Sequence, residues 1–235
     1  MIDSTLEFPP QALRVVVAAF LALPDGLRPT HQSVGEDDVG EPICDRARQV
    51  ETLAKRTSGF FLKGPRVTYD INLAGTKPII CNCFLEVEPS LAEQFLTHMA
   101  TVQPIFGFAC AQEERYQRNR VTIKQGVNTI ESWVGRDTQK YVPGFYWLTL
   151  LPDALARQHA VSLSKVEKVA QEHIELEGGQ HLFRFYERPE DWRATSAVAE
   201  LCASLPGVFN VEKVKPQLPA AKNFLELNSM LREWK

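Results

Sequence analysis

Apolar residues recur every three or four positions in several segments of the chain, a spacing that predicts amphipathic helices. The segments are residues 39–54, 89–102 and 219–234, with shorter patterns within 155–177 and 189–205. In the second segment, Leu91, Phe95 and Met99 share one face, and Pro89 suits the first turn of a helix. These segments are therefore expected to pack one apolar face against a core.

Other segments show the apolar alternation or the unbroken apolar run that is typical of β-strands. They are residues 12–23, 66–73, 78–87, 106–111, 145–151, 181–186 and 208–214. The first is rich in β-branched residues and ends at a Pro-Asp-Gly turn sequence, residues 24–26. Residues 121–134 fit either type of element, because Gly126 and Asn128 weaken both. The polar residues 28–40 are predicted to form a loop.

The spacing of these elements predicts the fold class. Several neighbouring strands are separated by too little chain for the crossover that a parallel pair requires. The sequence therefore predicts an α+β protein, with a mixed or mainly antiparallel sheet and helices packed on it. No internal repeat and no long linker interrupts the 235 residues, so we expect a single compact unit over residues 1–235.

The composition and charge of the chain exclude several classes of protein. Apolar residues make up 44% and charged residues 23%, which is typical of a globular protein. The longest apolar stretch is interrupted by Arg14 and is too short to cross a membrane, and it lacks the flanks of a signal peptide. A net charge of -3 argues against a dedicated nucleic-acid binder. We therefore expect a cytoplasmic protein that contacts neither membranes nor nucleic acid directly.

The cysteines do not predict a disulfide framework or a metal site. There are five, an odd number with scattered spacing, and only Cys81 and Cys83 lie close together. Residues two apart on a strand point to the same face. A zinc site would need further ligands at recognisable spacing, so we expect both thiols to be buried packing residues.

Negative charge is concentrated near the start of the chain. Residues 1–60 contain nine Asp or Glu and six Lys or Arg, which accounts for the whole net charge of -3. The densest part, here called the acidic segment, is residues 36–45, with carboxylates at Glu36, Asp37, Asp38, Glu41 and Asp45. These side chains are candidate contacts for a basic partner. The alternative is a solvated helix start, where the helix dipole favours acids.

A second charged segment, residues 112–120, contains Glu113 and Glu114 beside three arginines. Two carboxylates could perform acid–base chemistry, but adjacent residues on an element diverge. We therefore predict a salt-bridged surface or interface segment, with Glu113 and Glu114 as further candidate partner contacts.

One histidine pair allows an enzymatic alternative. His173 and His181 lie eight residues apart across a Gly-Gly turn, and Glu172, Glu175 and Glu177 are near them. Imidazole and carboxylate groups are common metal ligands, so the pattern allows a metal-dependent enzyme of unrecognised type. Solvated charges at the end of a helix explain the same pattern without a metal.

Two stretches, residues 133–151 and 183–192, combine aromatic residues with arginine. Such interleaving occurs in stacking surfaces for nucleic acid, but the surrounding charge favours an aromatic core. The Pro-Gly-Phe-Tyr-Trp sequence at 143–147 is followed by a Leu-containing segment at 151–158. This region resembles a bacterial family of type VI secretion immunity proteins. The resemblance also includes Phe106-Gly107, Arg136-Asp137 and the Arg-Phe-Tyr-Glu-Arg-Pro sequence at 184–189. The resemblance is strongest over residues 65–214.

The resemblance implies a non-enzymatic protein without a cofactor. Such a protein binds and neutralises a cognate type VI toxin by direct protein–protein contact. A cytoplasmic location favours a nuclease effector as that toxin, because the inhibitor then stays where nucleic acid is. Self-association into a homodimer is an alternative role, and the apolar positions of the C-terminal helix, such as Phe224 and Leu231, would serve it.

Overall fold

The computed structural model describes residues 1–75 and 77–235, and most of its strands join one large sheet. The strands are β1 (Ile2–Phe8), β2 (His31–Ser33), β3 (Glu41–Pro42), β4 (Phe60–Gly64), β5 (Val67–Asn72), β6 (Ile79–Leu85), β7 (Phe106–Ala111), β8 (Arg120–Gln125), β9 (Asn128–Trp133), β10 (Leu148–Pro152), β11 (Glu172–Leu176) and β12 (Gln180–Arg184). The helices are α1 (Leu13–Leu21), α2 (Arg46–Leu53), α3 (Pro89–Ala100), α4 (Gln112–Asn119), α5 (Asp153–Gln158), α6 (Leu163–Glu167), α7 (Ala197–Ser204), α8 (Val211–Val214) and α9 (Phe224–Glu233). Short 3-10 turns cover Pro10–Ala12, Pro189–Arg193 and Lys215–Ala220.

The large sheet has ten strands in the order β11-β12-β10-β7-β1-β6-β5-β4-β2-β3. Neighbouring strands in this order pair antiparallel, and β8 with β9 forms a separate antiparallel hairpin. The predicted fold class is confirmed, since the protein is one compact α+β unit with a mainly antiparallel sheet. β1 lies between β6 and β7 and therefore forms the centre of the sheet.

Alternation along the strands separates the core face from the opposite face. In β6, Ile79, Cys81, Cys83 and Leu85 are buried, while the residues between them are partly exposed. Burial raises the pKa of both thiols well above its usual value, so they remain protonated packing groups. The helices α1 and α3 cover this face, where the ring centroid of Tyr69 lies 4.7 Å from that of Phe20 and 5.6 Å from that of Phe95.

The aromatic stretch before β10 forms core, as predicted. Phe145, Tyr146 and Trp147 are each at most 1% exposed, and so is Phe183 on β12. The Trp147 indole N–H donates to the backbone oxygen of Tyr186 at 3.1 Å, which satisfies its one polar group. These residues hold the β10–β12 end of the sheet against the rest of the protein.

The strand predicted over residues 12–23 is wrong, because this segment forms the helix α1. Its buried positions include Leu13, Val16, Val17 and Phe20, which recur at helical spacing. Tertiary packing of that face outweighs the strand preference of the three consecutive valines. The strand of this region is instead β1, which sequence analysis missed although its residues alternate between the two faces of the sheet.

Four further elements differ from prediction. The strand β11 (Glu172–Leu176) lies within residues 155–177, where only helical patterns were predicted. The helix expected from residue 39 begins only at Arg46, because Pro42 lies in β3 and the Asp45 side chain caps the helix. Residues 208–214 contain the helical turn α8 rather than a strand, and only Val208 bridges another segment, at Val142. The predicted loop over residues 28–40 contains the short strand β2. Residues 121–134, left open by the sequence, form most of the β8–β9 hairpin.

Candidate functional site

The acidic segment lies at one edge of the sheet, in the turn between β2 and β3 and the approach to α2. All five carboxylate residues are exposed: Glu36, Asp37, Asp38, Glu41 and Asp45. Residues 29–45 contain no lysine or arginine, although the Lys63 ammonium on β4 contacts this turn. Two exposed apolar side chains lie among them, Val34 at 62% and Val39 at 86% exposure. This turn therefore presents both negative charge and apolar surface to a partner.

The conformation of the turn is set by contacts within the chain. The Lys63 ammonium on β4 binds three of its backbone carbonyl oxygens, those of Gly35, Glu36 and Asp38. The Asp38 carboxylate accepts the Gly35 backbone N–H at 3.0 Å. Gly40 has φ +83°, and a Cβ there would lie 2.3 Å from a backbone oxygen of β2, so only glycine fits. The turn is therefore ordered before any partner binds.

The five carboxylates differ in their local partners. Asp38 is bound within the turn, Glu41 accepts from the Gln32 side chain at 3.2 Å, and Asp45 accepts the Arg48 backbone N–H at 3.1 Å as a helix N-cap. The helix-start interpretation therefore applies to Asp45 but not to Asp37 or Asp38, which lie between two strands. Within residues 1–75 and 77–235, the carboxylates of Glu36 and Asp37 make no hydrogen bond or ion pair. These two are the acids most free to meet a partner.

The second candidate pair lies on α4, and its two members have different surroundings. Glu113 is exposed, whereas Glu114 is fully buried and Arg115 is 8% exposed. The predicted salt bridges are present, but the predicted surface position is wrong for this inward face. The reason is that α4 follows directly on the buried strand β7 and its first turn enters the core. The Glu114 carboxylate is therefore enclosed and does not face a partner in this conformation.

Buried charges on α4 are paired with one another and with β1. The Glu114 carboxylate accepts from Arg118 Nε at 2.9 Å and from the Tyr186 hydroxyl at 3.3 Å, and Arg115 contacts Asp3 at 3.4 Å. Burial raises the pKa of Glu114 and of Asp3, while the Glu114 charge raises that of Arg118. Because a buried charge without a partner is costly, these pairs are needed for a stable fold.

A cleft that the sequence did not predict lies beside these charges. It has a volume of about 30 Å³ and is lined by residues of β1, β7 and α4 and of the segment after β9, among them Glu7, Arg115 and Arg136. Burial raises the pKa of Glu7 to about 7, although its Oε1 accepts the Thr138 hydroxyl at 2.5 Å. The signal was present in the sequence as an acid within an alternating strand, but β1 itself was not recognised.

The histidine pair lies at the opposite edge of the sheet. His173 on β11 and His181 on β12 approach each other at 3.0 Å between Nε2 and Nδ1. Among the three nearby glutamates, Glu175 joins them, with its ligand atom within 4.8 Å of theirs. Glu172 instead pairs with Arg184. The structure therefore brings together three of the five residues in the metal hypothesis.

The candidate regions do not form one site. The acidic segment adjoins β3 and the histidine pair lies on β11 and β12, at the two ends of the ten-stranded order. Nine strand spacings correspond to roughly 40 Å along the sheet. Glu113 and Glu114 lie between them, on the helix that follows β7.

Comparison with known proteins gives no further assignment. The chain matches no family model, no curated protein and no solved structure. The resemblance to type VI immunity proteins therefore stays a prediction from the motifs. Over residues 1–75 and 77–235, no helix has the length and apolar character needed to cross a bilayer.

Proposed function

We propose that the protein is an immunity protein that binds a cognate type VI toxin and blocks it by direct contact, without catalysis. The observation that carries this proposal is the acidic segment, which is exposed, contains no lysine or arginine of its own and is ordered by the Lys63 ammonium of β4. An ordered surface loses less conformational entropy when a partner binds. The motif resemblance supplies the class of partner.

A nuclease is the toxin that this surface fits. Nucleases bind a polyanion and therefore present a basic cleft, which the carboxylates of Glu36 and Asp37 would attract and contact. Val34 and Val39 add apolar area within the same surface, and apolar groups surrounded by polar ones are typical of binding surfaces.

The partner would dock through side chains rather than by extending the sheet. The edge strand β3 has only two residues, and one of them is Pro42, which has no N–H to donate. We propose the cytoplasm as the compartment. The five free thiols support it, because cytoplasmic cysteines are kept reduced.

Co-expression with the protein encoded by the adjacent gene tests the proposal. We expect the full chain to rescue a bacterial host from that protein and to co-elute with it in size-exclusion chromatography. The double variant Glu36→Lys/Asp37→Lys should lose both properties. A matched control, Glu187→Lys/Glu190→Lys, makes the same charge change at exposed residues elsewhere and should retain them. Rescue by both variants, or by neither the parent nor the control, would contradict the proposal.

A further inference from the structure

The pairing register of β11 and β12 places metal-ligand side chains on one face at the edge of the sheet. Glu175 lies directly opposite His181, and His173 lies opposite Phe183. Because residues two apart on a strand share a face, all four side chains project together. The ligand atoms of His173, Glu175 and His181 lie within 4.8 Å of one another. Two metal bonds of about 2.1 Å span at most about 4.2 Å, so a small movement of the exposed Glu175 side chain would let one ion contact all three residues.

A carboxylate lies near the outward-facing nitrogen of each imidazole. His181 Nε2 lies 3.2 Å from Asp153 Oδ1, and His173 Nδ1 lies 3.6 Å from Glu167 Oε1. Histidines that bind metals commonly donate their other N–H to a carboxylate, which fixes the tautomer and makes the ligand nitrogen more basic. Asp153 therefore favours a proton on His181 Nε2 and leaves His181 Nδ1 as an acceptor. Glu167 lies beyond hydrogen-bond distance of His173 Nδ1, but its negative charge favours a proton on that nitrogen.

When both outer nitrogens carry protons, the two inner nitrogens face each other with their lone pairs. They are His173 Nε2 and His181 Nδ1, and they are 3.0 Å apart. Two acceptors at this distance repel unless a cation lies between them. Two bonds of about 2.05 Å at a tetrahedral zinc ion would separate the nitrogens by about 3.3 Å, close to the observed distance.

The surroundings also orient the rings. The His173 ring stacks on Phe183 with centroids 4.4 Å apart and planes 13° apart. The side chains of His173 and His181 are only 15% and 12% exposed, while Glu175 is exposed. A bound ion would therefore have two rigid, shielded ligands and one flexible ligand, with room for solvent.

We propose that His173 Nε2, His181 Nδ1 and the Glu175 carboxylate bind one divalent transition-metal ion, with zinc as the best match to two imidazoles and a carboxylate. The ion would join the edge strand β11 to β12. Asp153 and Glu167 would act as positioning residues. This site lies at the other end of the sheet from the acidic segment, so it is independent of the proposed toxin binding.

A proton shared by the two imidazoles is the competing explanation. In that case His173 Nε2–H donates to His181 Nδ1, and His181 Nε2–H donates to Asp153. The relay accounts for the same distances without a metal. The shared-proton explanation predicts that the protein binds zinc no more tightly at this site than at other surface residues.

Isothermal titration of the chelator-treated full chain with zinc distinguishes the two explanations. At pH 7.5 we expect one zinc ion per chain, and at least tenfold weaker binding in His173→Gln, His181→Gln and Glu175→Gln. The matched controls His31→Gln and Glu177→Gln should bind as the parent does. Far-ultraviolet circular dichroism checks that each variant is folded. Because Glu175 is exposed, Glu175→Gln should remain folded and still test the site if a histidine variant unfolds.

Cobalt substitution gives a second readout. Cobalt bound at this site should produce the visible absorption of a low-coordinate nitrogen–oxygen complex, and the band should be lost in Glu175→Gln but not in Glu177→Gln. The proposal is overturned if zinc does not bind at pH 7.5, since the shared proton then explains the geometry. It is equally overturned if binding persists unchanged in all three ligand variants.

Discussion

The acidic segment and helix α4 both carry clustered carboxylates, yet the structure uses them in different ways. In the acidic segment Glu36 and Asp37 project into solvent, and the Lys63 ammonium binds backbone oxygens of the turn that presents them. On α4, Glu114 is fully buried and held by Arg118 and Tyr186. The same residue type therefore contributes to a candidate binding surface in one region and to the fold in the other.

This difference shows that charge density alone does not identify a binding surface. A buried carboxylate is stabilised only while its cation remains beside it, so its removal should affect folding. An exposed carboxylate interacts weakly with its own chain and remains available to an incoming charge. Substitutions at buried acids should therefore change the stability of the fold, whereas substitutions at Glu36 and Asp37 should change partner binding only.

The largest loss of stability should follow removal of the cation beside Glu114. We expect Arg118→Met to lower the free energy of unfolding by about 3–5 kcal/mol, because it leaves a buried charge unpaired. Urea denaturation measures this change. The double variant Glu114→Gln/Arg118→Met should recover part of the loss, since no charge then remains. If Arg118→Met lowers the free energy of unfolding by less than about 1 kcal/mol, the Glu114 charge does not depend on Arg118 and the comparison is contradicted.

Glu7 represents an intermediate case, a buried acid without an arginine in direct contact. Burial raises its pKa from 4.5 to about 7, so the folded state binds more protons than the unfolded state between these values. The free energy of unfolding therefore falls as pH rises through this interval. Glu7→Gln should remove this fall in the free energy of unfolding. Above pH 7 the variant should therefore be more stable than the parent by about 3 kcal/mol. Urea denaturation at pH 4, 6 and 8 would contradict this expectation if the difference were constant.

A smaller effect is expected at Asp45, which is exposed but caps α2. Asp45→Ala should lower the free energy of unfolding by about 1 kcal/mol, because the Arg48 N–H loses its acceptor. Asp45→Asn, which keeps a capping oxygen, should retain most of this stability. Equal losses in urea denaturation for the two variants would show that the cap is not the cause.

The smallest change in stability is expected at Glu36 and Asp37. The variant Glu36→Gln/Asp37→Asn should unfold within about 0.5 kcal/mol of the parent, because neither carboxylate has a partner in the part of the chain that the structure describes. A larger loss in urea denaturation would mean that these acids support the fold, as Glu114 does.

Sequence patterns predicted much of the fold, because periodicity reports which face of an element is buried. The helix containing Phe95 and the strands at residues 67–72 and 106–111 formed as expected. Local pattern failed where tertiary packing decided the outcome. The valines of α1 favour a strand, but the segment is helical because one helical face packs on the core. The strand β1 was missed because it contains several polar residues.

The candidate sites were less predictable than the fold. The five acids of the acidic segment were recognised, but the contacts of Lys63 that order them depend on β4 lying beside the turn. The burial of Glu114 depends on how α4 follows β7, which its charged sequence does not indicate. The sequence allowed His173 and His181 to meet across a turn, but it did not predict the strand β11, whose register with β12 sets their approach.

The rate of association with the adjacent-gene protein tests the central claim most directly. We expect Glu36→Gln/Asp37→Asn to reduce this rate about tenfold at low ionic strength, because the exposed carboxylates steer a basic partner. The parent and variant should converge at about 1 M salt, where the charges are screened. Equal rates at every salt concentration, with binding intact, would contradict the assignment of the acidic segment as the toxin-binding surface.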